Sequence, residues 1–391
     1  MSVARKITIR EVAHLAAVSI GTVSNVLNGA TNVSEATRRR VEQVIQDLGF
    51  TPDTVARSLI ARRRRKSSEN SLTRQYVVLA ETQGLASPDD TVVELLTQIL
   101  DDGALGATRH LHLAHRLLIH MAQGPTSEDV KWRTISATAE FIAATRGADA
   151  PLVSNAIAWL MTGIAATPAE RRAERLSERA SLWQVRARER LERLIEVAVA
   201  VLGVGAHLVL QDYSGTVAAI VERLHEKGLK PAPILLESRA TAGGIRYVNQ
   251  FLPRGIDLRL APDAAMEHVL GAASAVLLGC ESMRCDGSVV NSLGSRPLAR
   301  IAKALEIPVY CCAELFKFDR RSYAGAFDIS AARVQDFALI DEITVPEGAR
   351  VDAAVPAVEI VPAEFLTAII TEEGPLPPAA LWARGHALFV E

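Results

Sequence analysis

The feature that most limits the possible folds of this 391-residue chain is an alternation of apolar strands and helices after residue 206. The pattern predicts five strands, at His207–Leu210, Pro233–Leu236, Leu258–Ala261, Ala275–Gly279 and Pro308–Cys312. It predicts four helices between them, at Gly215–Glu226, Gly244–Phe251, Asp263–Val269 and Pro297–Leu305. Strands that alternate with helices form a parallel, doubly wound sheet, so we expect a Rossmann-like subdomain whose series of strands closes at Cys312.

Polar side chains follow most of the predicted strands. Ligands of such sheets bind beyond the carboxyl ends of the strands. The residues at those ends are Asp212, Tyr213, Ser214, Glu237, Ser238, Arg239, Asp263, Glu281 and Glu314. Ordinary loop polarity and helix capping explain any one of them, but successive strands that each end in an acid or an arginine favour a shared pocket.

Residues 90–200 have an almost entirely helical pattern, which indicates a helical subdomain before the sheet. Its charge-rich stretch, residues 168–194, alternates acidic and basic side chains. A second nucleic-acid site is the alternative for such a stretch. Mixed charge of this kind is typical of a solvated helix face, which is the interpretation we favour.

The N-terminal sixty residues contain start signals for three short helices. Thr8 and Glu11 form a capping box, and Ser19 and Ser34 are N-caps of a second and a third helix. The tight turn before Ser19 indicates a helix-turn-helix unit, whose second helix enters the DNA major groove. The alternative is a helical hairpin whose polar residues simply face water.

Charge is distributed unevenly along the chain. Residues 1–66 hold twelve Lys and Arg against five Asp and Glu, whereas the remainder holds 31 against 40. The run Arg62–Lys66 is either a phosphate-contacting segment or a solvated linker. A basic head on an acidic body indicates that double-stranded DNA is bound at one end only.

The four cysteines, Cys280, Cys285, Cys311 and Cys312, are too few for a disulfide framework. A zinc site is disfavoured because Cys311 and Cys312 are adjacent on a predicted strand and would point to opposite faces. We therefore expect no metal and no cofactor. The chain shows no signal region and no stretch long enough for a membrane helix, so we expect a cytoplasmic protein without a membrane partner.

Residues 7–62, which begin ITIREVAHLAAVSIGTVSNVLNG, resemble the headpiece of the lac repressor (LacI) family. The resemblance implies a dimer on a pseudo-palindromic operator. It assigns base reading to Ile20, Gly21 and Asn25. It assigns phosphate contacts to Thr8, Ser19, Thr22, Asn28, Ser34 and Thr37. It also implies a hinge helix that packs Ala56 and Leu59 into the minor groove.

Two positions depart from this headpiece. Asn25 stands where arginine is usual, so the operator is expected to differ from the typical site of the family. Asp53 stands where asparagine is usual and places a negative charge near the DNA backbone.

The body carries a second resemblance, over roughly residues 85–391, through TRGADAPLVSNAIAWL, LLESRATAGGIRYV and GCESMRCDGSVVNSLGS. These segments are similar to the family of translation initiation factor 2B regulatory subunits, methylthioribose-1-phosphate isomerases and ribose-1,5-bisphosphate isomerases. The resemblance implies dimers built through the sheet subdomain. Together with the strand ends it gives a set of ligand-binding candidates: Arg146, Asp212, Ser214, Glu237, Ser238, Arg239, Glu281, Asp286, Asn291, Glu314 and Lys317.

Four departures bear on the chemistry that this resemblance implies. Asp212 replaces the cysteine of the isomerases, and Glu281 replaces their aspartate. Leu105 and Ser292 stand where the family has an arginine and a lysine that meet ligand phosphates. From these losses we expect a body that is not an enzyme but a non-catalytic relative of sugar-phosphate isomerases.

The sequence thus predicts a mixed α and α/β protein. Its parts are a DNA-binding domain at 1–62, a linker at 63–84, a helical subdomain at 85–203 and a Rossmann-like subdomain at 204–391. The favoured hypothesis is a transcriptional regulator, expected to be a repressor, that forms a homodimer or higher even oligomer. Its small-molecule effector would be a phosphorylated sugar or nucleoside derivative. The alternatives are an active aldose–ketose isomerase tethered to DNA and a body that serves only for dimerisation.

Overall fold

The computed structural model describes residues 12–13, 15–16, 18, 22–23, 26, 34–48, 71–101, 107–325, 334–336, 346, 349, 351–352 and 354–387. The chain divides into two compact units, residues 1–74 and 75–391. Within the described residues, no helix combines the length and the apolar character needed to span a membrane.

In the first unit, the helix with described bounds is α1, Glu35–Leu48. The Ser34 hydroxyl oxygen accepts a hydrogen bond from the Thr37 backbone N–H at 3.3 Å, which confirms the predicted N-cap. The buried core consists of Val12, Ala13, Ala16, Val23, Val26 and Val41. Ala13 is buried in this core, whereas Leu15 is 58% exposed. The prediction of three helices falls largely outside the described residues.

The second unit begins with a helical part. Its helices are α2 (Leu72–Thr82), α3 (Asp90–Leu100), α4 (Ala107–Gln123), α5 (Glu128–Ala144), α6 (Arg146–Asp149), α7 (Pro151–Met161) and α8 (Arg172–Leu202). Helix α8 has 31 residues and belongs to both parts of the body. Its first half buries Leu176, Ala180 and Trp183, and its second half packs Leu194 and Ala198 against the sheet.

The sheet part follows α8. Its strands are β1 (His207–Leu210), β2 (Ala232–Leu236), β3 (Arg259–Ala261), β4 (Ala275–Leu278), β5 (Ser282–Met283), β6 (Val289–Ser292), β7 (Val309–Cys312), β8 (Val334–Asp336), β9 (Ala354–Pro356), β10 (Val358–Val361), β11 (Ala368–Thr371) and β12 (Gly374–Leu376). Its helices are α9 (Gly215–Glu226), α10 (Gly243–Phe251), α11 (Met266–Leu270), α12 (Ser295–Ala304) and α13 (Leu381–Ala387).

Seven of these strands form one sheet, in the order β12-β11-β7-β4-β1-β2-β3. All neighbours are parallel except the edge pair β11 and β12. The expected parallel sheet is confirmed, but the prediction that Cys312 closes the series is wrong, because β11 pairs with β7 and extends it. The smaller sheets β5-β6-β10 and β8-β9 were not predicted either.

Alternate side chains of the strands enter two cores, one on each face of the sheet. On β1, Val209 joins the core that contains α11 and α12, whereas Leu208 and Leu210 join the core that contains α8, α9 and α10. The strand order reverses between β1 and β4, where α9 leaves one face and the later helices return on the other. This switch point leaves a crevice beyond the carboxyl ends of β1 and β4.

Candidate functional site

A cavity of about 840 Å³ opens at the switch point of the sheet. Its sheet side is formed by residues after β1 and β4, and its helical side by α4 and α8. The volume lies in the upper part of the usual range for small-molecule sites, about 300–1,000 Å³. The location agrees with the rule that ligands of open α/β sheets bind where the strand order reverses.

Asp212 lies on the sheet side of this cavity and is held by neighbours from two segments, the turn after β2 and strand β6. Its backbone N–H donates to Ser238 Oγ at 2.7 Å. Its carboxylate accepts hydrogen bonds from Thr241 Oγ1 at 2.6 Å and from the Ser292 hydroxyl. The side chain is buried, yet it lines the cavity. The arrangement fixes one carboxylate where it can meet a ligand hydroxyl.

Glu314 joins the sheet side of the cavity to helix α8. Its carboxylate accepts a hydrogen bond from Arg190 Nε at 3.1 Å, and both side chains are largely buried. The Arg190 guanidinium lies 4.8 Å from the Trp183 ring centroid and 4.5 Å from that of Phe316. The ion pair and its aromatic neighbours therefore fix the position of α8 relative to the strand end after β7.

Lys317 supplies a cation beside the carboxylates of the cavity. Its Nζ donates to the Cys280 carbonyl oxygen at 2.6 Å. Burial alone would lower the pKa of Lys317, but Cys280, Glu281 and Glu314 outweigh it and raise that pKa above its ordinary value. Lys317 therefore carries its charge at neutral pH, within a site that also contains Asp212, Glu281 and Glu314.

Three arginines line the more exposed part of the cavity: Arg109 from α4, Arg188 from α8 and Arg246 from α10. None of them was among the predicted site residues. Arg188 lies in the charge-rich stretch that was interpreted as a solvated face. It is exposed, as that interpretation implies, and it also lines the cavity. No signal in the sequence marked these arginines, because the sides of α4 and α8 that line the cavity depend on contacts between segments far apart in the chain.

The helical side of the cavity has a buried wall around His115 of α4. His115 is 2% exposed, and neither of its ring nitrogens has a hydrogen-bond partner among the described residues. Its ring meets the Trp183 ring edge-on at 6.5 Å. Burial, with a smaller contribution from His112, lowers the pKa of His115 to about 4, so the imidazole is uncharged at neutral pH.

Six of the eleven predicted ligand-binding residues line the cavity. They are Asp212, Ser214, Glu281, Asn291, Glu314 and Lys317. Ser214 also caps α9 by accepting from Val217 N, and Asn291 donates to Ser295 Oγ at 2.9 Å. The structure thus brings together residues that are more than a hundred positions apart in the sequence.

The other five do not line this cavity. Ser238 acts behind Asp212, and Arg239 pairs with Glu237 at 3.6 Å on the outer side of the turn. Arg146 is buried among the helices, where its Nε donates to His110 Nδ1 at 2.9 Å. The Asp286 carboxylate instead accepts from Ser288 in its own turn. These side chains point elsewhere because their own turns and helices bind them locally.

Three of the eleven predicted DNA-contacting residues lie within the described part of the chain. Thr8, Ser19, Ile20, Gly21, Asn25, Asn28, Ala56 and Leu59 lie outside the described residues, as do the hinge helix and Leu105. Thr22, Ser34 and Thr37 are described, and the hydroxyl oxygens of Ser34 and Thr37 are 2.8 Å apart.

Two family models match the chain. Residues 102–378 match the Initiation factor 2 subunit family, and residues 8–53 match the bacterial regulatory proteins of the lacI family. The two matches do not overlap, and each coincides with one of the segments whose resemblance was read from the sequence. Both resemblances are therefore confirmed.

The body is similar to several curated proteins. It is 27% identical over 165 residues to a ribose 1,5-bisphosphate isomerase of Archaeoglobus fulgidus, which covers 42% of this chain and 52% of that protein. It is 32% identical over 171 residues to a methylthioribose-1-phosphate isomerase of Herpetosiphon aurantiacus, which covers 42% and 48%. The chain thus spans about half the length of these relatives.

Solved structures share the fold of the body. The translation initiation factor eIF-2B of Pyrococcus horikoshii superimposes with a TM-score of 0.64 at 21% identity, over 74% of this chain and 98% of that one. The 5-methylthioribose 1-phosphate isomerase of the same organism gives 0.61 at 20% identity, over 76% and 88%. These similarities confirm the mixed α/β fold with a parallel sheet.

The prediction that the chain is not an enzyme is wrong. The relatives that match the body include proteins named as isomerases, so the comparison points to an enzyme. The physical reason is that the replacements keep proton-transferring groups in place. Asp212 and Glu281 both line the cavity, and carboxylates are able to act as general acids and bases.

Proposed function

The chain belongs to the Initiation factor 2 subunit family over residues 102–378, and we propose that it is a DNA-binding transcriptional regulator whose body binds a phosphorylated sugar. The observation that carries the proposal is the presence, in one chain, of a lacI-family segment and of a cavity that combines four cations with three carboxylates. A regulator of this kind works where the DNA is, so we place it in the cytoplasm.

The DNA-binding role rests on the lacI-family match of residues 8–53. Within it, Ile20, Gly21 and Asn25 would read base edges. Phosphate contacts would come from Thr8, Ser19, Thr22, Asn28, Ser34 and Thr37. The proposed limits of the domain are residues 1–62, with the hinge residues Ala56 and Leu59 at its end. The linker that follows is shorter than the predicted 63–84, because helix α2 already belongs to the body and Tyr76 is buried and hydrogen-bonded to Thr138.

The choice of a phosphorylated sugar rests on the two kinds of surface in the cavity. Asp212, Glu281 and Asn291 offer acceptors and a donor for hydroxyl groups on the sheet side. Arg109, Arg188 and Arg246 offer guanidinium groups, which bind phosphate bidentately. These arginines compensate for the phosphate-binding cations that the sequence lacks at Leu105 and Ser292.

If the protein is a ligand-dependent regulator, binding of the ligand in the cavity has to change the protein's affinity for DNA. We propose a homodimer, or a higher even oligomer, that holds two headpieces on a pseudo-palindromic operator. The ligand shifts the equilibrium between two dimer geometries because it binds one of them better. The Arg190–Glu314 ion pair would connect the ligand to this change of geometry, because Glu314 lines the cavity and Arg190 belongs to helix α8.

The test is footprinting of the full-length protein on the DNA upstream of its own coding region and on genomic fragments, with and without ribose 1,5-bisphosphate. A protected pseudo-palindrome whose affinity falls steeply with salt supports DNA binding. A change in that affinity on addition of the sugar phosphate supports sensing. The absence of any protected site in the genomic fragments would overturn the proposal that the protein is a transcriptional regulator.

Sugar-phosphate isomerisation in the same cavity is a second candidate. It is favoured by the names of the relatives and by the two carboxylates that line the site. In a sugar phosphorylated at C1, one carboxyl group would protonate the ring oxygen as its bond to C1 breaks, and the other carboxylate would take the proton from C2, which leaves a C1=C2 enol that keeps its phosphate. Loss of the proton from the C2 hydroxyl and addition of a proton at C1 would then give the ketose. Turnover of ribose 1,5-bisphosphate that Asp212→Asn abolishes, at unchanged binding, would support it, and no turnover by the wild type would reject it for this substrate.

A further inference from the structure

Residues 314–318, here called the site loop, follow β7 and carry two charged groups of the cavity, Glu314 and Lys317. Two helices hold this loop. The side-chain amide of Asn155, which is buried in α7, donates to two carbonyl oxygens of the loop, at 2.8 and 2.9 Å. Arg190 of α8 pairs with the Glu314 carboxylate at 3.1 Å. The charged groups that a ligand meets are therefore placed through the backbone of the loop as well as through their own side chains.

Glu372, in the turn between β11 and β12, binds the same loop although it does not line the cavity. Its two carboxylate oxygens accept the Leu315 backbone N–H, at 3.0 and 3.3 Å. Leu315 opens a 3-10 turn, where a backbone N–H has no partner within the turn itself. Because Leu315 directly follows Glu314, this hydrogen bond fixes the point at which the Glu314 side chain leaves the backbone.

The charges around Glu372 do not balance. Burial, and to a smaller extent the carboxylate of Glu314, raise the pKa of Glu372 above its ordinary value, although backbone N–H groups and Arg190 act in the opposite direction. In the same turn, Glu373 is exposed and pairs with Arg384 of α13. Glu372, Glu314 and Arg190 sum to one negative charge when all three are ionised. Further negative charge in this partly buried cluster favours the protonated form of a carboxyl group.

We propose that Glu372 is a positioning residue of the cavity, which holds the site loop and takes up a proton when an anionic ligand binds. The inference rests on the proposed function, since the phosphate groups of the ligand supply the negative charge. That charge destabilises ionised Glu372, whereas protonated Glu372 still accepts the Leu315 N–H through its carbonyl oxygen. The loop therefore stays in place while the repulsion is lost. Because binding is coupled to proton uptake, the affinity for the ligand rises as the pH is lowered.

The experiment measures binding of ribose 1,5-bisphosphate to the full-length protein by calorimetry, between about pH 6 and pH 8, in buffers that differ in their heat of ionisation. The dependence of the observed heat on the buffer gives the number of protons taken up per ligand. Glu372→Gln should take up fewer protons than the wild type, by at least about 0.2 per ligand. It should also bind the ligand about threefold more tightly at the alkaline end of the range, because the repelling charge is gone. The protons of the ligand itself contribute equally to both proteins and cancel in the comparison.

Two further variants separate the charge of Glu372 from its hydrogen bond. Glu372→Gln removes the charge and keeps an oxygen that accepts the Leu315 N–H, so a purely structural role would not make this variant bind more tightly. Glu372→Ala removes both and should bind more weakly than Glu372→Gln at every pH. Glu373→Gln, at the exposed neighbouring position, is the matched control and should bind and take up protons like the wild type. Thermal unfolding of each unliganded variant reports folding.

The outcomes separate this inference from the proposed function. Binding to the wild type without proton uptake, or equal uptake by the wild type and folded Glu372→Gln, overturns the coupling to Glu372 and leaves the sugar-phosphate site intact. The first of these results needs no variant. Equal affinities of folded Glu372→Gln and Glu372→Ala overturn the positioning role. If ribose 1,5-bisphosphate does not bind to the wild type, the proposed site fails for this ligand and the role of Glu372 fails with it.

Discussion

The position of Asp212 depends on a backbone conformation that few side chains adopt. Its φ is 53°, in the left-handed region that aspartate tolerates better than most residues. Two hydroxyl groups bind its carboxylate, and Ser238 accepts from its N–H, so the strained conformation is held from three directions. The same turn brings the carboxylate against the start of α10, which leaves no space for a larger residue there.

Gly243 marks this close approach and allows the first prediction. A Cβ at position 243 would lie 1.8 Å from Asp212 Oδ1 and 2.6 Å from Tyr213 N. Gly243→Ala should therefore displace Asp212, lower the free energy of unfolding by about 2 kcal/mol and weaken sugar-phosphate binding at least tenfold. Gly215→Ala is the matched control for stability, because nothing lies within 4 Å of its Cβ. Equal stability of the two variants, measured by urea unfolding, would contradict the prediction.

The low pKa of His115 predicts that the free energy of unfolding depends on pH. Its pKa is about 4 in the folded protein and near 6.5 in an unfolded chain, so the unfolded chain binds more protons between these values. The free energy of unfolding should fall as the pH is lowered from 6.5 to 4, by up to roughly 3 kcal/mol. All four tryptophans lie in the body, so their fluorescence during urea unfolding measures this unit. The loss should be absent from His115→Phe, and an identical pH profile in that variant would refute the assignment.

Sequence reasoning found the residues of the site that follow strands and missed those that lie on helices. Asp212, Glu281 and Glu314 could be predicted because the carboxyl ends of parallel strands meet at one edge. Arg109, Arg188 and His115 could not, because the packing of α4 and α8 over that edge depends on contacts between segments far apart in sequence. A charged or polar residue on a helix gives no signal of whether it faces solvent or a cavity.

At the scale of elements, helices and strands with strong local signals were predicted within a few residues. Strand β1 and helix α9 agree with the expected bounds, and β2, β4 and β7 differ by one residue at one end. Strand β11 was missed because it follows β7 after more than fifty residues, outside the regular alternation of strands and helices. Short apolar runs carry little periodicity, and the partner that makes such a run a strand is not visible locally.

The junction between α8 and the strand end after β7 allows a prediction at this scale. Arg190→Met removes a cation that pairs with Glu314 and lies between Trp183 and Phe316. It should lower the free energy of unfolding by about 3 kcal/mol, because the remaining carboxylate is largely buried and unpaired. Glu314→Gln should cost less. The double variant should be more stable than additivity implies by about 1–3 kcal/mol, and strict additivity in the double-mutant cycle would show that the pair is not coupled.

For the whole molecule, net charge predicted the DNA-binding end but not the cavity. The body carries an excess of acidic residues, yet it places Arg109, Arg188, Arg246 and Lys317 around one cavity. Total charge describes the field far from a protein, whereas a ligand responds to the groups within a Debye length of about 8–10 Å. An acidic body is therefore compatible with a site for an anionic ligand.

The last prediction concerns the connection between the two ends of the chain. If ribose 1,5-bisphosphate changes operator affinity by some factor, the operator must change the affinity for the sugar phosphate by the same factor. The double variant Arg109→Ala/Arg246→Ala should bind the operator as the wild type does without ligand, within about twofold. It should lose at least 90% of the response to ligand, since each lost charge-assisted contact is worth about 1.5–3 kcal/mol.

Arg116→Ala, on α4 but outside the cavity lining, is the matched control and should respond like the wild type. Fluorescence anisotropy of a labelled operator, titrated at several ligand concentrations, measures both factors on the same samples. Unequal factors would show that the ligand acts through a step other than equilibrium binding, such as turnover. A full response in the double variant would place the phosphate-binding contacts elsewhere in the cavity.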